Sequence, residues 1–102
     1  MRHAAPLWVS SWSPELHEAT LTRWRIIAGV PSLRTRAAEF ERVTAGLISQ
    51  ALAAEAAGSI PPGDAVVVNA YMATFTSAVL AWADCDGERK IEELVDEAFD
   101  AL

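Results

Sequence analysis

"AVVVNAYMATFTSAVLAWAD" occupies residues 65–84, and the fold turns on whether it is strand or helix. Its opening "AVVVN" has the β-branched run of a strand. The pattern that follows absorbs it into a helix. Val68, Tyr71, Phe75, Val79 and Trp82 recur at spacings of three and four and form a large-residue face. Ala70, Thr74, Ser77 and Ala81 form a second, small-residue face on which another helix can approach closely. A helix apolar on two faces is sandwiched between layers. The linker "SIPPGD" (59–64) precedes it, with Asp64 placed to cap it, and the helix is expected to run to about Ala83 before "DCDG" (84–87) ends it.

Working outward, a last helix from about Glu88 is expected to bury Ile91, Leu94, Val95, Ala98 and Leu102, with Glu92, Glu93, Asp96, Glu97 and Asp100 on its other faces. Upstream, Ser13-Pro14-Glu15 reads as a helix start: a capping hydroxyl, Pro at the first helical position and an acid in the first turn. That helix is expected to reach Ala28, with Leu16, Thr20, Trp24 and Ile27 on one side and Leu21 and Ile26 off that stripe, until Gly29 stops it. Pro31 opens a long helix to Gly58 with an amphipathic stripe of Leu33, Ala37, Phe40, Thr44, Leu47 and Ala51. Gly46 inside it costs roughly 1 kcal/mol against Ala, so packing or a bend is expected there. Residues 1–12 show no clear period, although Trp8 and Trp12 share a face if helical. The expectation is an all-α domain of four helices over residues 13–102, bundle-like or orthogonal, preceded by a segment of unassigned structure.

The 102 residues make one domain, and 52% hydrophobic composition is more than a core of this size hides, which points to a buried self-interface. No apolar run is expected to approach the ~20 residues of a membrane span, and the N-terminus lacks the apolar core of a signal peptide. Cys85 is the single cysteine, so no intrachain disulfide can form and a reducing cytoplasm is expected. The net charge of −6 divides into +2 over residues 1–42 (six basic, four acidic) and −8 over residues 43–102 (two basic, ten acidic), a balance that repels a phosphate backbone over most of the chain.

"RWRIIAGVPSLRTR" (23–36) holds four of the eight basic residues. In helices, Arg23 and Arg25 point about 200° apart, as do Arg34 and Arg36, so no groove-reading stripe holds all four. They read as a solvated face, with an inward Arg23 or Arg25 meeting an anionic ligand as the alternative. "WADCDGERKIEE" places Asp84, Asp86, Gly87 and Glu93 at calcium-loop positions, but Trp82 falls where the first ligand belongs, so a helix stop is the better reading. His3 and His17 lack ligand partners at metal spacing. Cys85 lies between two acids, which disfavour its thiolate. Ser10, Ser11 and Ser13 form no nucleophile elbow. No catalytic residue, metal site or cofactor is assigned. Trp24, Phe40, Tyr71, Met72 and Phe75 suit either a core or a ligand cavity, and Tyr71 and Asn69, polar groups on a buried helix, must find partners.

The succession of "RWRIIAGVPSLRTRAAEFERV", "GLISQALAAEAAG", "AYMATFTSAVLAWAD" and "IEELVDEAFDAL" resembles the C-terminal regulatory domain of TetR-type transcriptional regulators across residues 14–102. The resemblance implies that the last two helices pair with those of a second chain in a four-helix dimer interface, here through Ala70, Thr74, Ser77, Ala81, Leu94 and Ala98. It also implies a small apolar or amphipathic effector in a pocket walled by Trp24, Ile27, Phe40, Thr44, Tyr71 and Phe75. The family's helix-turn-helix head has no counterpart in this sequence, so the chain by itself is expected not to bind DNA. A helical dimer with a filled core and no ligand is the alternative, and an enzyme ranks behind both.

Overall fold

The computed structural model describes residues 4–55, 58 and 61–102. Among these there are five helices and no strand: α1 (Ala4–Ser10), α2 (Pro14–Gly29), α3 (Pro31–Glu55), α4 (Pro62–Asp84) and α5 (Ile91–Asp100). The all-α reading of residues 65–84 holds. The count of four rises to five, because α1 forms within the stretch that shows no period. His3 and part of the 59–64 linker lie outside the described residues.

Local chemistry accounts for the boundaries. The Ser13 Oγ accepts the Leu16 N–H at 3.1 Å, with Pro14 and Glu15 in the first turn of α2 as expected. Val30 is extended (φ −123°, ψ 111°), the conformation that a following proline favours, and this separates α2 from α3. Its carbonyl then accepts the N–H groups of Leu33 and Arg34 and starts the next helix. The helix α4 begins at Pro62, ahead of Asp64, which sits inside the first turn and makes no side-chain cap. There its carboxylate still favours the positive end of the helix. After Asp84 the chain reverses through Asp86 (φ 58°) and Gly87 (φ 72°), with the Gly87 N–H donating back to the Trp82 carbonyl at 3.0 Å.

The helix α4 is central, packing against α2, α3 and α5, while α1 lies on α5. Contrary to the expectation that no run approaches a membrane span, α4 is long and apolar enough to cross one by length and composition, its few polar residues being spread among apolar ones. Of its most apolar 18-residue window, 28% is buried inside the chain. The main core joins Val9 of α1, Leu21 of α2, Ala78, Val79 and Trp82 of α4, and Ile91, Leu94, Val95 and Phe99 of α5. On α5 the expected Leu102 is instead exposed and Phe99 fills the core. On α2 the off-stripe Leu21 is the buried residue, because the helix meets the core on one side and α3 on another.

No α3 residue belongs to that core. Ala45 is its one fully buried position among the described residues. Phe40 and Leu47, expected on a core stripe, are 72% and 60% exposed. A helix of 25 residues is about 37 Å long at 1.5 Å per residue. The hairpin of α3 and α4 therefore reaches past the core, and its outer half carries Val43, Leu47, Ile48, Leu52, Val66 and Val67 exposed. The molecule is accordingly elongated, 44 × 30 × 26 Å.

Candidate functional site: an apolar groove between α2, α3 and α4

A groove of about 430 Å³ opens where α3 diverges from α2 and α4. Trp24 and Ile27 line it from α2, Leu33, Ala37 and Phe40 from α3, and Met72 and Phe75 from α4. Its volume is in the range of small-molecule sites, about 300–1,000 Å³. Four of the six expected pocket residues, Trp24, Ile27, Phe40 and Phe75, come together here. Tyr71 and Thr44 do not. Tyr71 turns to the other side of α4 and rests on Phe99 with ring centroids 5.0 Å apart. Its burial there raises the phenol pKa. Asn69 is exposed, and its side chain donates to the Ala65 carbonyl of its own helix at 2.8 Å.

Of the polar rim, Arg23 is one of the two arginines given above as the inward-facing alternative, whereas Arg36, Glu41 and Thr76 were not expected there. Arg23, Arg36, Glu41 and Thr76 line the groove beside the apolar wall. The four arginines of residues 23–36 thus divide by role. Arg25 pairs with Asp86. Arg34 donates to the Ala28 carbonyl at 2.9 Å and lies 3.8 Å from Asp84, which caps α2 and ties its end to the end of α4. Arg23 and Arg36 make no ion pair among the described residues and line the groove. Their alternation along two helices, the feature that argues against one basic stripe, is what separates the two tasks.

Of the residues expected at a dimer interface, Thr74 (8% exposed) and Leu94 (7%) are buried within the single chain and Ala98 packs at the core edge. Ser77 and Ala81 are exposed, and Ala70, two turns before Ser77, is half-buried. The Thr74 hydroxyl is satisfied by the Ala70 carbonyl at 2.6 Å.

A second, smaller cleft of about 220 Å³ lies between α2 and α5, lined by His17, Leu21, Trp82, Arg89 and Glu92 among others. His17 Nε2 is buried without a hydrogen bond, 3.9 Å from a Glu92 carboxylate oxygen, and its ring meets the edges of Trp12 and Trp82. Arg89, whose pKa the hydrogen-bonded Glu97 raises, closes one side of the cleft. Cys85 is half-buried with its thiol donating to the Trp82 carbonyl at 3.3 Å. No group of His, Cys, Asp and Glu among the described residues has the arrangement of a metal site. Compared with family models, with curated proteins and with solved structures, the chain finds no match.

Proposed function

We propose that this chain is the effector-binding and dimerising domain of a TetR-type transcriptional regulator. The observation that carries the reading is the groove: a ligand-sized apolar space that gathers Trp24, Ile27, Phe40 and Phe75 from three helices, in a chain whose sequence segments resemble those of the family's regulatory domain. The disposition of the arginines supports it as well. Arg25 and Arg34 pair with Asp86 and Asp84, so they are not displayed for a phosphate backbone, and reading DNA is left to a separate head. The alternative, a dimer with a filled core, predicts no such space between α2, α3 and α4.

Native mass spectrometry of the purified chain tests the proposal. The expected species is a dimer, about twice 11.0 kDa, that retains small-molecule mass or takes up added apolar compounds. A dimer that accepts no ligand favours the filled-core alternative. A monomer removes the family-based architecture.

A further inference from the structure

The groove's chemistry narrows the ligand. Its wall is apolar, and its charged rim is Arg23, Arg36 and Glu41, a local charge of +1 in a chain of −6. Glu41 pairs with neither arginine among the described residues, and both guanidinium groups are exposed and keep their donors for something else. A neutral apolar ligand would leave them idle. We infer that the groove takes an anionic amphiphile: an apolar chain against Trp24, Ile27, Phe40 and Phe75, with a carboxylate or similar head held by Arg23 and Arg36. This rests on the effector reading above. Guanidinium groups suit such a head because their donor fork matches two carboxylate oxygens at once. The overall negative charge repels anions, so a preference for one needs local cations such as these.

The test is calorimetric titration of the full chain with dodecanoate and with dodecanol, which share a tail and differ in charge. Dodecanoate should bind at least about tenfold more tightly, the return expected of one or more hydrogen bonds to a charged group. Arg23→Gln combined with Arg36→Gln should remove that preference and leave dodecanol unaffected. In the unmodified chain, rising salt should weaken dodecanoate alone, a check independent of the variant's folding. Equal binding of the two probes overturns the anionic assignment while sparing the groove. A preference that survives the double substitution places the anion elsewhere. Binding of neither probe sinks the effector site itself.

A second inference rests on area. A monomer of 11.0 kDa exposes about 5,600 Å² by the size scaling of folded proteins, and this chain exposes 6601 Å². The excess, about 1,000 Å², is of the same order as the ~800 Å² that one partner contributes to a stable interface. Val43 and Leu47, four residues apart, lie exposed on one face of α3 beyond the groove, and no charged residue occurs from Val43 to Ala54. In a two-fold interface each patch meets its own copy. The acidic outer face of α5 would then repel itself, whereas the neutral face of α3 does not.

We propose that a second copy of this chain covers the outer half of the α3–α4 hairpin, which moves the dimer interface away from α5. Sedimentation at micromolar concentration should show a dimer, and Leu47→Glu and Val43→Lys should each give monomer with unchanged helical circular dichroism. Ala98→Glu, on α5, should remain dimeric. The reverse pattern returns the interface to α5 and leaves dimerisation intact. A monomeric unmodified chain removes the dimer altogether, and its co-sedimentation with phospholipid vesicles would assign the apolar face to lipid instead.

Discussion

At the scale of single residues, Gly87 is the position most tightly constrained. Its φ of +72° is left-handed, and a Cβ there would lie 2.6 Å from Leu21 Cδ2, the residue through which α2 enters the core. Gly87→Ala should cost about 1–2 kcal/mol for the backbone alone, more if Leu21 cannot yield, and lower the melting temperature by about 4–8 °C per kcal/mol. Unchanged melting would show that the turn relaxes freely. The turn itself was legible in "DCDG"; the contact with Leu21 was not, since it joins residues far apart in the chain. Tyr71 makes a second prediction. Its pKa is raised by burial, so the fold favours the neutral phenol. The stability this supplies is complete below the ordinary value of about 10 and is lost as pH rises through the elevated one. Tyr71→Phe should therefore flatten the alkaline fall in the urea midpoint, and an unaltered pH profile would mean that the ring's burial has no consequence for titration.

Among the helices, α3 teaches most about what periodicity can and cannot say. Its apolar spacing announced a helix, but spacing alone does not say how much of a stripe a neighbour covers. The contact with α4 is rotated toward Ala45, which leaves Phe40 and Leu47 outside. Gly46 illustrates the same point: a Cβ there would meet nothing within 4 Å, so neither packing nor close approach within the chain requires the glycine. Gly46→Ala should stabilise the protein by about 0.5–1 kcal/mol, visible as a higher urea midpoint. A loss instead would mean that another surface needs the space. For α1, seven residues with a proline among them are too few to set a period, and its place is decided by Val9 entering the core, fully buried. On α5 the acidic and apolar positions were plain, and the stripe could continue through Ala98 or Phe99; the larger side chain fills the space beside Tyr71.

Across the whole molecule, cohesion is uneven. The core joins α1, α2, α5 and the C-terminal half of α4, whereas α3 is attached along the groove and at the corner where Arg34 meets α2 and Asp84. Elements with few buried contacts open first, so amide hydrogen exchange in the monomeric Leu47→Glu variant should be fastest along α3 and slowest in the C-terminal half of α4 and in α5. Uniform protection would mean that the groove side is as cohesive as the core. The division also explains why the site was half legible: its aromatic wall follows from helix periodicity, while its arginine rim depends on which of four similar residues the acidic turn at Asp84 and Asp86 consumes. One further consequence belongs to Phe75. Its ring lines the groove and also lies 5.4 Å from that of Trp8, and so a guest that displaces it alters the surroundings of an indole on α1. The molecule thereby carries its own optical gauge of occupancy: filling the groove should shift the emission of Trp24 in its wall and of Trp8 beyond Phe75, and the part of the shift lost after Trp8→Phe would read the second.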